Sequence, residues 1–86
     1  MDRIHLLLAA SDGTKWERMV SSVTLPGAQG SLGILPGHAP MLCALDEGTV
    51  FCRNEAGERF RFRISAGIAN VAENEVTLLL AHMAEE

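Results

Sequence analysis

Three histidines are the first residues in this chain that could carry out chemistry, since an imidazole near neutral pH can act as a general base or bind a metal. They are His5, His38 and His82, and none belongs to an H-x-x-x-H or C-x-x-C metal motif. No G-x-S-x-G nucleophile motif occurs either. His38 lies between Gly37 and Ala39 in a loop, where we expect a structural hydrogen bond or a partner contact rather than base catalysis. We therefore predict no metal ligand and no catalytic residue, and a small hydrolase using His38 is kept as a third hypothesis.

Three glycines, Gly27, Gly30 and Gly33, follow the spacing G-x-x-G-x-x-G, which in some proteins forms a phosphate-binding loop. Such a loop needs the N-terminus of a helix directly after the glycines. Here residues 34–36, with the sequence Ile-Leu-Pro, follow instead. The glycines are therefore predicted to form tight turns, and no cofactor-binding residue is predicted.

Three arginines, Arg59, Arg61 and Arg63, occupy every second position of one apolar stretch, so they should share one face of a strand. Such a row could bind an anionic ligand, and a stand-alone small β binding module is our alternative hypothesis. The simpler interpretation is a solvated or partner-facing surface whose arginines pair with acids across strands. The chain carries a net charge of −4, from 7 basic and 11 acidic residues, so we predict no nucleic-acid binding.

Length and composition are those of one small globular domain that covers residues 1–86, with 48% hydrophobic and 21% charged residues. The longest apolar run, residues 6–10, is too short to span a bilayer, so a cytoplasmic location is the default expectation. Cys43 and Cys52 lie in apolar, strand-like runs without metal-ligand spacing. We expect both to be buried, reduced thiols.

Alternation of apolar and polar residues predicts β-strands throughout the chain. The clearest runs are residues 4–8, 58–65 and 75–80, each with apolar side chains on one face. No window shows the apolar spacing of a helix, and turns recur at short intervals, which favours an all-β sandwich or barrel. Residues 15–25 are interpreted as one strand with an irregularity near Met19, either a bulge or a bend, and the tail, residues 82–86, could start a helix.

The segment from Pro26 to Pro40 is the most constrained part of the sequence. It holds all three prolines and four of the eight glycines. The prolines restrict φ, whereas the glycines permit φ values that other residues rarely adopt. Apolar residues between the glycines predict a short extended piece bounded by two tight turns, and residues 41–45 follow as a short buried strand. We expect a stiff loop displayed by a β scaffold.

The sequence of residues 30–40, G-x-L-G-I-L-P-G-H-A-P, resembles the signature in the N-terminal β-sandwich of the epsilon subunit of F-type rotary ATP synthases. The resemblance continues, in the family's order, through residues 20–26, through Leu45-x-x-Gly48, and through matching positions between residues 67 and 77. It implies a flattened ten-stranded β-sandwich. It also implies a non-catalytic, cofactor-free subunit of the central rotor stalk.

In this family the sandwich binds the gamma subunit and one end rests on the polar loops of the membrane c-ring, so that ion-driven rotation is coupled to ATP synthesis. The resemblance implies two groups of partner-binding residues in this chain. The c-ring side is matched by Ala28, Gln29, Gly30, Ser31 and Leu32, and the gamma side by His38, Ala39, Pro40, Met41, Leu42 and Cys43. It also implies a peripheral position on the cytoplasmic face of the energy-transducing inner membrane, without direct membrane insertion.

Two departures from the family pattern limit what the resemblance implies. Many members carry an acidic residue where Ser31 stands, and serine offers the ring only a neutral hydrogen bond. The family usually continues past Ala84 into a two-helix hairpin that can inhibit hydrolysis and, in some members, sense ATP. Neither inhibition nor sensing is therefore predicted here, and a natural short form and a shortened chain are both open. The sequence does not decide whether protons or sodium ions drive the complex. Nor does it decide whether the complex mainly synthesises or hydrolyses ATP.

Overall fold

The chain is a small β-structure, described for residues 3–86 by a computed structural model. The predicted domain begins at residue 1, so its first two residues, Met1 and Asp2, lie outside the described residues. Residues 3–86 form ten strands: β1 (Ile4–Ala10), β2 (Lys15–Val20), β3 (Ser22–Gly27), β4 (Gly30–Ile34), β5 (Met41–Leu45), β6 (Gly48–Arg53), β7 (Arg59–Ile64), β8 (Gly67–Ala72), β9 (Glu75–Leu80) and β10 (Met83–Glu85).

The strands are joined by hydrogen bonds into one curled sheet with the order β10-β7-β6-β3-β5-β8-β9-β1-β2, and β4 pairs with β3 off this path. The curl divides the sheet into two halves. The first half contains β10, β7, β6, β3 and β4, and the second contains β5, β8, β9, β1 and β2. The halves join where Gly27 of β3 pairs with Leu45 of β5. The predicted all-β, flattened ten-stranded β-sandwich is therefore confirmed.

The core lies between the two halves and is built from the alternating apolar positions of the strands. Buried side chains recur at every second residue of β1 and β9, and buried or half-buried ones at every second residue of β7, as the alternation predicted. Trp16 on β2 contacts the first half: its ring centroid lies 4.6 Å from that of Phe62 and 5.2 Å from that of Phe60, both on β7. An edge strand of one half is thus held against the other half by aromatic packing.

The prediction of one strand over residues 15–25 is wrong, because the chain breaks at Ser21 into β2 and β3. The amide and the hydroxyl of Ser21 both donate hydrogen bonds to the carbonyl of Arg53, at 2.7 and 3.0 Å. β2 pairs with β1 in the second half, whereas β3 pairs with β6 in the first half. The irregularity near Met19 therefore marks the crossing between the two halves, not a bulge within one strand.

The helical expectation for residues 82–86 is also wrong, because this tail forms β10 and pairs antiparallel with β7. Ser65 holds the approach to β10: its hydroxyl oxygen accepts hydrogen bonds from the amides of Ala81 and His82, each at 3.0 Å. Met83 packs against the core. Pairing with an open strand edge decides the conformation of this short segment. Within residues 3–86 no helix of a length and apolarity that could cross a membrane is found.

Candidate partner-binding site

The hairpin between β3 and β4 carries the first group of predicted contact residues. Gly27 and Gly30 face each other across the turn formed by Ala28 and Gln29. A Cβ atom on Gly27 would lie 2.7 Å from the carbonyl oxygen of Gly30, and Gly30 has a φ of +128°, which favours glycine. Gly33 lies within β4, and no helix follows it. Gly27 and Gly30 therefore flank a tight turn, as predicted, whereas Gly33 lies inside a strand and not in a turn.

This turn is fixed to the neighbouring strand β5 by main-chain hydrogen bonds. The amide of Ala28 donates to the carbonyl of Ala44 at 3.0 Å, and the amide of Asp46 donates to the carbonyl of Pro26 at 2.8 Å. Gly48, at the start of β6, lies so close to Pro26 that a Cβ atom there would be 2.8 Å from the proline Cβ. The base of the hairpin is therefore braced on both sides.

The second turn of the segment, after β4, is also tied down. The amide of His38 donates to the carbonyl of Leu35 at 3.1 Å, and the amide of Gly37 donates to the Asn74 side-chain oxygen at 2.7 Å. The Nδ1 atom of His38 lies 2.7 Å from the carbonyl oxygen of Ala39, so the ring bonds within its own loop. This agrees with the expected structural hydrogen bond of His38. The segment from Pro26 to Pro40 is thus an ordered loop attached at several points.

The two predicted groups of contact residues lie side by side. The hairpin and the exposed side of β5 form the walls of one open cavity of about 500 Å³. Its lining residues are Gly27, Ala28, Gln29, Gly30, Ser31, Leu32, Met41, Leu42, Cys43 and Ala44. Residues 38–40 lead into β5 and do not line the cavity. We call this cavity the hairpin groove.

β5 is less buried than predicted. Only Leu45 belongs to the buried core, whereas Met41 and Cys43 are half-buried and Leu42 is 73% exposed. One face of β5 covers the core and the other is open, so the expectation of a buried strand is wrong for its outward-facing residues. An exposed leucine in a concave surface gives a partner apolar area to bury.

The apolar surface continues from Leu42 across the outer face of the second half. Leu42, Ile68 and Leu79 line a shallow cavity of about 440 Å³ together with Asn70 and Thr77. Ile68 is 48% exposed and Leu79 is 58% exposed. The sequence reasoning missed Ile68 and Leu79. Both could have been found from the sequence, because each is an apolar residue at an outward-facing position of a strand whose inward-facing positions are already apolar.

The polar chemistry of the groove is limited to neutral groups. Ser31 and Gln29 can donate and accept hydrogen bonds there. Cys43 is a free, half-buried thiol, and Cys52 is free and buried, so the expected burial holds fully only for Cys52. Within residues 3–86 no three His, Cys, Asp or Glu side chains come together as metal ligands would. The groove therefore offers neutral hydrogen-bonding groups and one half-buried thiol.

Fold and site together define a class: a small β-sandwich with a braced hairpin and an adjoining open groove. The family of ATP synthase delta/epsilon chain β-sandwich domains matches residues 3–86. The chain belongs to this family.

Relatives with known names agree with this assignment. The ATP synthase epsilon chain of Lawsonia intracellularis is 43% identical over 76 residues, which are 88% of this chain and 56% of that protein. The ATP synthase epsilon chain of Synechococcus elongatus is 45% identical over 71 residues, 83% of this chain and 51% of that protein. The chain thus spans about half the length of these relatives.

A solved structure shares the fold. One chain in the cryo-EM structure of the Euglena gracilis mitochondrial ATP synthase superimposes with a TM-score of 0.89 at 23% identity. The match covers 99% of this chain and 54% of that one.

Proposed function

We propose that this chain is a non-catalytic epsilon-type subunit of the central rotor stalk of a proton- or sodium-translocating F-type ATP synthase. It links the gamma subunit to the c-ring and couples rotation to ATP synthesis. Residues 1–86 act as one domain in this role, at the cytoplasmic face of the energy-transducing membrane and without inserting into it. Membership of the delta/epsilon family and the epsilon-chain relatives support the proposal. The Euglena relative also comes from an assembly that contains F1 and the c-ring.

The bracing of the hairpin is the observation that carries the proposal. A joint that transmits rotation must not deform when it is loaded, and the hairpin is bonded through Ala28 to β5 and packed at Pro26 against β6. A binding surface that is already ordered also loses little conformational entropy when it binds. The stiffness of the hairpin therefore fits a mechanical contact better than a flexible recognition loop.

In this proposal the hairpin tip contacts one partner, and the segment of residues 38–43, which leads into β5 and its exposed side, contacts the other. The tip, residues 28–32, faces the c-ring, where Gln29 and Ser31 make neutral hydrogen bonds with the polar ring loops. Residues 38–43 face gamma, where Leu42 is buried. Because both walls belong to one braced unit, displacement at the ring contact is passed to the gamma contact through hydrogen bonds such as that between Ala28 and Ala44.

A non-catalytic role agrees with the state of the groove residues. His38 bonds within its own loop, and the hydroxyl and thiol of the groove belong to Ser31 and Cys43. A nucleophile of either type needs an adjacent base to be activated at neutral pH. The ion pair of His5 with Glu17 places that histidine on the outer face of β1 and β2, apart from the groove residues.

The proposal is tested by co-purification of this chain with gamma and the c-ring of the same organism. Leu42→Asp places a charge on a residue that is already 73% exposed, so the fold should be retained. We expect the aspartate to weaken gamma binding by at least about tenfold, since a buried unpaired charge at an interface costs more than 1.4 kcal/mol. Phe51→Asp is the matched control, because Phe51 is an exposed apolar residue on the outer face of the first half. Failure of the wild-type chain to bind gamma, or equal binding by Leu42→Asp and wild type, would overturn the proposal.

A further inference from the structure

A second concave surface lies on the outer face of the first half, away from the hairpin groove. It has a volume of about 350 Å³ and is lined by residues of β3, β6 and β7. The lining residues are Ser22, Thr24, Phe51, Cys52, Arg53, Arg59, Phe60 and Arg61. We call it the arginine groove. Ser22 and the hairpin turn lie at opposite ends of β3, roughly 17 Å apart at the usual rise of a strand.

The arginine groove concentrates positive charge in a chain whose net charge is −4. Arg53 and Arg59 face each other directly in the register of β6 and β7. Like charges at directly opposed positions of neighbouring strands destabilise a sheet. The ion pairs found within residues 3–86 involve Arg3, His5 and Arg61, so neither Arg53 nor Arg59 has a carboxylate partner in that part of the chain. An anion between them would relieve the repulsion.

The remaining groups of the groove add donors and a flat apolar surface. The guanidinium carbon of Arg61 lies 5.2 Å from the centre of the Phe51 ring, and its Nε atom lies 3.9 Å from a carboxylate oxygen of Glu86, so both contacts orient this arginine. Ser22 and Thr24 face Arg53 and Phe51 across the β3–β6 pairing and bring hydroxyl donors to the same face. Arginine forks and hydroxyl groups together are the donors that phosphate oxygens prefer.

We propose that the arginine groove binds a small soluble polyphosphate anion, held between Arg53 and Arg59 and by the hydroxyl groups of Ser22 and Thr24. The site is separate from the hairpin groove and does not depend on the rotor role. It would give the domain a second binding function, at the end of β3 that lies opposite the hairpin turn. Arg53 and Arg59 are both exposed, and they lie opposite each other in the same open groove.

The experiment is calorimetric titration of the 86-residue chain with inorganic tripolyphosphate at low ionic strength. We expect saturable binding with one anion per chain, weakening as salt is added because exposed charges are screened. Arg53→Ala and Arg59→Ala should each weaken binding by at least about tenfold, the effect of losing a charge-assisted hydrogen bond. Arg63→Ala is the matched control, since Arg63 is exposed on the same face of β7 but does not line the groove.

Three results would overturn the proposal. One is the absence of saturable binding to tripolyphosphate. Another is equal weakening by Arg63→Ala, because the anion would then respond only to total charge. The third is binding to vesicles of anionic phospholipid with none to tripolyphosphate, which would make the surface a lipid contact. Co-purification of the double variant Arg53→Ala, Arg59→Ala with gamma should stay at the wild-type level. A negative result for anion binding therefore leaves the proposed rotor role unaffected, and the reverse is also true.

Discussion

The amide of Ala28 donates a 3.0 Å hydrogen bond to the carbonyl of Ala44, and this bond joins the tip of the β3–β4 hairpin to the middle of the groove wall. Residues that are distant in sequence thereby form one surface. The bond uses main-chain atoms only, so it does not depend on the identity of either side chain. The geometry of the site is therefore set by main-chain bonding and by the glycines that permit it.

Gly27→Ala should destabilise the domain by roughly 1–3 kcal/mol, the usual cost of forcing an extra methyl group into a packed site. Its Cβ atom would lie 2.7 Å from the carbonyl oxygen of Gly30, which is main chain and cannot move aside cheaply. Gly33→Ala is the control, because nothing lies within 4 Å of the added atom. Urea unfolding of the two variants measures the difference. A loss of stability in Gly33→Ala as large as that in Gly27→Ala would contradict this account of the turn.

Leu78→Ala and Leu79→Ala should differ sharply although the residues are neighbours. Leu78 has 0% exposure, so its truncation leaves a cavity in the core and should cost about 2–5 kcal/mol. Leu79 is 58% exposed, and its truncation should change the free energy of unfolding by about 0.5 kcal/mol or less. Thermal or urea unfolding of the two variants measures this difference in the free energy of unfolding. Comparable losses in both variants would show that the register of β9 is different.

The stability of the domain should fall as the solution becomes alkaline. Burial raises the pKa of the Cys52 thiol to about 11, from an ordinary value of 9.0. Since the folded pKa lies above the unfolded one, this contribution is complete below pH 9.0 and is lost as the pH rises from there to about 11. The chain contains no tyrosine, which removes one other group that titrates in this range.

Measurement of the free energy of unfolding between neutral and alkaline pH tests this expectation. Cys52→Ala should be less stable at neutral pH, but its stability should decline less steeply above pH 9.0 because the titrating thiol is gone. A decline of equal slope in the wild type and in Cys52→Ala would assign the effect to other groups.

Ser65→Ala should loosen β10 without unfolding the core. The lost hydroxyl oxygen accepts hydrogen bonds from the amides of Ala81 and His82, and the cost of removing such an acceptor is roughly 1 kcal/mol. Amide hydrogen exchange should accelerate at these two residues and in β10, while exchange in β1 and β9 stays slow. Ser11→Ala is the control, because its hydroxyl only donates one bond, to the carbonyl of Ala81 at 3.2 Å. Unchanged exchange at Ala81 and His82 in Ser65→Ala would contradict the anchoring role.

The strands with strict alternation were predictable because burial on one face imposes a period of two on the sequence. β1, β7 and β9 follow that rule. The break at Ser21 was not predictable in this way, since it depends on bonds to the distant carbonyl of Arg53. β10 likewise exists because the edge of β7 is available to it, and three residues cannot carry a periodic signal.

The candidate site was predictable only in part. The glycines and prolines of residues 26–40 indicated a stiff loop, because those residue types restrict or release φ locally. That the loop tip and the exposed side of β5 share one groove depends on the pairing of Gly27 with Leu45, which no local pattern contains. The exposure of Leu42 has the same origin, since it is decided by which elements cover the outer face of the second half.

The hairpin begins at the junction of the two halves of the sandwich, where Gly27 of β3 pairs with Leu45 of β5. A force applied at the hairpin tip would therefore act on both halves at their common junction. The two halves would resist such a force together, because the strands that meet at this junction belong to both.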